Sequence, residues 1–284
     1  NLIKLNLSSN QFSGSIPSEM GNLTNLTSLN LSSNQFSGVI PVEIFDLINL
    51  KGEIEFMAGP GGGASTFHQG LNLSDNMLTG SIQEEIGNLI NLKSLDLSFN
   101  QLAGNLPMGL YSLDSLQSIN LSNNLLTGEI SEEIGNLLQL EGVTSYAHNS
   151  VTQYDALNLS NNLLTGIIPS EICDLPLDWS DSYMDEYQGF SISNNQFCSP
   201  FPYCLEGFIG SQDTLNCVQM KNQNVETAPI KYSLSQNHPN PIQGPPGVRF
   251  SWIFDGILVV VFMKIQRHQI CLENIGNLLG DCEK

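Results

Sequence analysis

An asparagine recurs through this chain at a fixed interval, and that interval limits the fold more than any other feature. Asn76, Asn100 and Asn124 stand 24 residues apart, each inside the pattern L-x-L-x-x-N-x-[LF]-x-G-x-[IL]. A period of this size marks a solenoid, whose units cannot bury their apolar faces alone and stack to build one continuous core. Asn10, Asn34, Asn162 and Asn195 hold the same place in four more units, so seven coils share one register. The interval widens to 42 residues between Asn34 and Asn76, to 38 between Asn124 and Asn162, and to 33 between Asn162 and Asn195. The excesses over the period are insertions of 18, 14 and 9 residues.

The coil from Leu92 to Leu116 shows the physics of one repeat. Leu95 and Leu97 alternate with Ser94, Asp96 and Ser98, a period of two that puts leucines on one face of a short strand and small polar residues on the other. Asn100 follows at the turn, where a buried carboxamide can donate and accept at once and so satisfy backbone groups of the adjacent coil. Leu102 and Leu106 return to the core around Gly104, and Leu110, Leu113 and Leu116 line the far side.

This pattern resembles the leucine-rich repeat family, and the G-x-I-P element at Gly14 to Pro17, Gly38 to Pro41 and Gly166 to Pro169 is similar to its plant-type subclass. The resemblance covers roughly residues 1 to 217. It implies an α/β repeat solenoid, with short parallel strands on one face and 3-10, irregular or short helical segments on the other. It also implies a surface that binds and does not catalyse.

The chain divides by composition into three parts: 1-172, a solenoid of six coils; 173-217, the last coil with a cysteine-bearing cap; and 218-284, a linker and tail. The first two insertions, 51-70 and 141-156, both open with a charged residue and glycine, Lys51-Gly52 and Glu141-Gly142. Insertions of this kind leave the core intact as loops on one edge, where contact sites concentrate. The run MAGPGGGASTFHQG in the first lacks the Lys-Ser or Lys-Thr and the helix of a phosphate loop, and reads as a flexible loop. The chain starts in the middle of a coil, at Asn1-Leu2, which predicts further sequence upstream or another cover for that end.

Residues 173 to 217 hold Cys173, Cys198, Cys204 and Cys217. No pair is spaced C-x-x-C and no histidine lies within the segment, which argues against zinc and for two disulfides in an oxidising compartment. Three connectivities are open. The segment resembles the C-terminal cap of secreted bacterial leucine-rich repeat proteins. Asp178, Asp181, Asp185 and Glu186 crowd the third insertion without the alternating carboxylates and glycine of a calcium loop, and read as a solvated acidic surface.

After Val218 the leucine period stops. YSLSQNHPNPIQGPPGVRFSW resembles the opening of the C-terminal sorting domain of type IX secretion, although the chain then departs from that family's β-sandwich. The apolar run Gly256 to Met263 is too short for a bilayer that needs ~20 residues and reads as a buried strand. ENIGNLLGD near the end echoes Glu132 to Leu140 of the solenoid, and Cys271 and Cys282 are a further possible pair.

Through Met220 the chain carries 23 Asp or Glu against 3 Lys, within a whole-chain charge of -19. That field repels nucleic acid and anionic membranes. His68, His148, His238 and His268 are scattered outside the coils, and neither G-x-S-x-G nor H-E-x-x-H occurs, so the chain reads as no enzyme, with no cofactor and no metal. Seven N-x-[ST] sequons, at Asn6, Asn22, Asn25, Asn30, Asn72, Asn120 and Asn158, mostly fall out of the repeat itself.

The strand face is the binding surface that the resemblance implies. Its outward row is Asn6, Asn30, Asn72, Asp96, Asn120, Asn158 and Ser191, followed by a row of serines from Ser8 to Ser193, with Phe99 the one aromatic in the adjoining row. The leading expectation is a secreted or cell-surface protein for adhesion or recognition of a protein or glycan. A second is a filament of solenoids stacked end to end. A third is binding of ice or polysaccharide by the Asn/Ser ladder, similar to some plant leucine-rich repeat antifreeze proteins.

Overall fold

The computed structural model describes residues 1–57, 64–147, 150–177, 189–218, 247–254, 257–266 and 269–272. It divides into two compact units, Asn1–Glu226 and Thr227–Lys284. The first unit is a right-through stack of seven coils. Each contributes one short strand to a parallel sheet built from Lys4–Asn6, Ser28–Asn30, Leu71–Asn72, Ser94–Asp96, Ser118–Asn120, Leu157–Asn158 and Phe190–Ser191, in that order. The alternation seen in the sequence sets the faces: Leu29, Leu71, Leu95, Ile119 and Leu157 point into the core, fully or almost fully buried.

Beyond the turn a second parallel sheet forms from Ser13–Ser15, Gln35–Gly38, Met77–Gly80, Gln101–Asn105 and Leu125–Thr127. Gly104 bends the chain there at φ +82, a conformation open to glycine and closed to most side chains. Short 3-10 helices such as Ser18–Asn22, Val42–Asp46 and Ser170–Asp174 then cover the back. The proline of G-x-I-P stands just before each, at φ near -65 in Pro17 and Pro169, which presets the entry. These helices crowd closely: a Cβ on Gly109 would lie 2.1 Å from the Glu84 carbonyl oxygen of the preceding coil.

The landmark asparagines act as anticipated. Asn100 donates from Nδ2 to the carbonyls of Leu97 and Ser98 in its own coil and of Leu73 in the preceding one, and its Oδ1 accepts from Leu78 N. Asn34, Asn76, Asn124, Asn162 and Asn195 make the same set toward Leu7, Leu31, Leu97, Leu121 and Leu159. Their exposure falls along the stack, from 9% at Asn100 to 2% at Asn195.

After the seventh coil this ladder ends on a longer amide. Gln212 donates from Nε2 to the carbonyls of Ile192 and Ile209 and accepts from Phe197 N, taking the place of an eighth landmark asparagine. Around it the four cysteines pair as Cys173–Cys204 and Cys198–Cys217, closing loops with sequence separations of 31 and 19.

The first two insertions are β-hairpins and not irregular loops. Glu53–Met57 pairs antiparallel with Ala64–His68, and Val143–Ala147 with Ser150–Tyr154. In each, two β-prone runs pair with one another, and the residues between them, 58–63 and 148–149, lie outside the described residues. The second unit contains an antiparallel meander of Gly247–Phe254, Ile257–Gln266 and Gln269–Leu272, so the apolar run is a strand. The Q-N-H-P-N-P run, the acidic cluster at Asp178 to Glu186, His148 and the ENIGNLLGD echo lie outside the described residues.

Candidate recognition face

All seven residues of the expected row lie in register along the first sheet: Asn6 beside Asn30, Asn30 beside Asn72, Asn72 beside Asp96, then Asn120, Asn158 and Ser191. The row is less free than a bare ladder. Ser32 N and Ser32 Oγ both donate to Asn30 Oδ1, at 2.9 and 2.8 Å, and the same pair of bonds recurs at Asn6, Asn72, Asn120 and Asn158. Each carboxamide oxygen is therefore engaged in holding its own turn, and the ladder's polarity is largely structural. Ser191, with no carbonyl group in its side chain, only approaches Ser193 Oγ at 3.4 Å.

Asp96 stands in this row as a carboxylate among amides. Its Oδ1 accepts from Ser98 N at 3.1 Å and Ser98 Oγ at 2.7 Å, as the asparagines do. Burial pushes its pKa above the ordinary carboxylate value; bonds from Ser98 and the Gln69 side chain oppose that shift, and the negative charge of Asp155 adds to it. Asp155 is itself raised by burial, against a hydrogen bond from Asn158.

The adjoining row carries a signal that the sequence reading missed. Ser9, Ser33, Asp75, Phe99, Asn123, Asn161 and Asn194 all adopt left-handed backbone, with φ between +52 and +57. The turn needs this conformation just before the landmark asparagine. Serine, aspartate and asparagine tolerate it through local hydrogen bonds, whereas a bulky aromatic does not. Phe99 is held there nonetheless, with 58% of its surface in water.

The two hairpins border the middle of this face. Ser28 Oγ donates to Gln69 O and Ser118 Oγ to Asp155 O, both at 2.7 Å, so each returning leg is clamped to the coil before it. Ser94, in a coil with no insertion after it, is fully buried and its Oγ has no hydrogen-bond partner among the described residues. Although they leave the solenoid three coils apart, the strands Ala64–His68 and Val143–Ala147 lie against each other. The hairpins lead into the strands Leu71–Asn72 and Leu157–Asn158, between which the sheet order places the strands of Asp96 and Asn120.

A family model for two copies of leucine-rich repeats matches residues 1–41, and a single leucine-rich repeat model matches 69–89, 91–113, 115–137 and 156–175. No curated protein sequence matches the chain. Among solved structures, the ectodomain of the Arabidopsis thaliana receptor kinase GASSHO1/SCHENGEN3, in complex with CASPARIAN STRIP INTEGRITY FACTOR 2, is 33% identical at a TM-score of 0.55, over 74% of this chain and 20% of that one. The Arabidopsis receptor kinase HAESA, in complex with the peptide hormone IDA and the co-receptor SERK1, is 30% identical at 0.53, over 74% and 28%. The plant peptide hormone receptor RGFR1 in complex with RGF2 is 28% identical at 0.54, over 74% and 27%. The chain thus spans under a third of the length of each. Repeat models, stacked parallel strands and these neighbours agree: the chain carries leucine-rich repeats and folds as an α/β leucine-rich repeat solenoid.

Proposed function

We propose that this chain is a non-catalytic recognition module working outside the cell, which binds a peptide or protein partner on the strand face of its central coils. The observation that carries the reading is the meeting of two separate hairpin insertions, whose returning legs are tied to Ser28 and Ser118 of the face's strands and whose strands Ala64–His68 and Val143–Ala147 lie against each other. A solenoid core does not need either hairpin, so their convergence points to a surface shaped for a ligand. The neighbours RGFR1, a peptide hormone receptor, and HAESA, in complex with the peptide hormone IDA, support the same class of partner. The two disulfides of the cap support an oxidising, extracellular setting. Adhesion is the cellular role proposed for such binding, and secretion through the sorting-like tail is its proposed route.

Peptide and glycan arrays probed with the labelled full chain test the reading. Saturable binding to a subset of peptides, lost when residues 53–68 are replaced by a short Gly-Ser link, is the expected result. Binding confined to glycans or to ice would favour the periodic-surface reading, and end-to-end polymers in sedimentation would favour the filament. Blank arrays with a monomeric, folded chain would remove the proposal.

A further inference from the structure

Two residues of the fourth coil depart from their rows, Asp96 from five asparagines and one serine and Phe99 from Ser, Asp and Asn, and both departures work against stability. At the position of Asp96, the turn asks only for an oxygen that accepts from the serine two residues on. Asn30, Asn72, Asn120 and Asn158 supply it as amides at 2.7 to 3.1 Å, the same distances as at Asp96. The negative charge is therefore not required by the fold. It is partly withdrawn from water, and the charged neighbour acting on it is another acid, Asp155. A carboxylate in that setting is costly until a cation meets it.

Three residues later, Phe99 occupies a left-handed position that the other coils give to Ser, Asp or Asn, and it exposes its ring to water. Strained backbone at an exposed aromatic is a mark of function and not of packing. Both departures sit in the central coil of seven, beside the bridged hairpins. Asp75, exposed in the preceding coil, donates its backbone N–H to Ser98 O and so brings another acid beside them. No arginine precedes Arg249, so the solenoid has no guanidinium with which to grip an anion.

We propose that the fourth coil determines specificity: Asp96 takes an arginine or lysine side chain of an extended peptide segment, and Phe99 packs against the apolar stem of that cation or the residue next to it. This assignment rests on the recognition reading above and names its ligand chemistry. The carboxylate supplies a charge-assisted hydrogen bond, and the ring supplies apolar area and an electron-rich face for the cation. Overall charge favours the same partner, with 23 acids against 3 lysines through Met220.

A phage-displayed random dodecapeptide library panned on the full chain, and on its D96N and F99N variants, tests this. Both substitutions install the residue type that other coils carry, so both variants fold, and thermal melting checks it. Peptides selected on the unsubstituted chain are expected to share a basic position with an apolar neighbour. The best of them, synthesised, should bind D96N at least about tenfold more weakly at ~0.15 M salt. F99N should weaken it similarly, while D114N, which removes an exposed charge elsewhere, leaves it unchanged. Selected peptides that are acidic, or that bind D96N and F99N as tightly as the parent, would overturn the assignment and leave recognition standing on another surface. A library that yields no enriched peptide on any of the chains would remove both.

Discussion

Asn100 Nδ2 lies 3.0 Å from the carbonyl oxygen of Leu73, one coil back, and this bond with its repeats joins neighbouring turns of the stack beside the backbone bonds of the strands. Leucines alone would give adhesion between coils without fixing their register. The carboxamide fixes it, because it pairs a buried donor and a buried acceptor of the preceding coil at one time.

Asn100→Ala should therefore leave Leu78 N–H buried without its side-chain acceptor and take from the Leu73 carbonyl one of its two amide donors, Asn76 Nδ2 remaining, at about 1–3 kcal/mol. Urea unfolding followed by circular dichroism measures it. An isosteric leucine should do no better, since the lost bonds and not the lost volume carry the effect.

Gln212→Ala tests the cap in the same terms. It strips Phe197 N–H of its side-chain acceptor at the last interface and leaves the Ile192 carbonyl with Asn195 Nδ2 alone, and about 1–3 kcal/mol of stability should go with it. Replacement by asparagine, one methylene shorter, should recover only part.

Asp96→Asn is expected to raise stability at neutral pH. The acid's folded pKa lies above its ordinary value of 3.8, so the folded chain binds the proton more tightly than the unfolded one. Stability from this group is then lost as pH rises from about 3.8 through the folded value, and stays lost above it. Melting curves should show the variant ahead of the parent at pH 7, with the gap closing near pH 3.5, below the unfolded titration.

Phe99→Asn should stabilise the chain by about 1 kcal/mol, because asparagine tolerates the left-handed backbone that phenylalanine resists. Calorimetry would detect the rise in melting temperature. A loss of stability would mean that the exposed ring is packing against something after all.

Cys198→Ser combined with Cys217→Ser opens the shorter loop of the cap, with an expected loss of about 3 kcal/mol. Reduction of the parent, which opens both cross-links, should cost more, and non-reducing mass mapping should recover the Cys173–Cys204 pair intact in the variant.

Much of this molecule could be read from Leu95, Leu97 and Asn100, because the strand, the turn and the buried amide each follow from a spacing of a few residues. The in-register row from Asn6 to Ser191 was legible for the same reason. Its meaning was not: that the oxygens are engaged by the following serines depends on side-chain rotamers, which spacing does not encode. The hairpins escaped notice because E-I-E-F-M and A-S-T-F-H are too short to stand out beside a glycine run. Gln212 was hidden because the cap replaces the landmark residue by its longer homologue. The left-handed row was in plain sight as Ser, Asp and Asn, but only the dihedral angles show that Phe99 is out of place in it.

The two cross-links at Cys173–Cys204 and Cys198–Cys217 give a direction to a molecule whose coils are otherwise near equivalents. A row of units held only to its nearest neighbours comes apart from whichever end is loosest. The riveted coils should open last, so that proteases nibbling a partly opened chain would leave the cysteine-bearing segment as the last fragment standing.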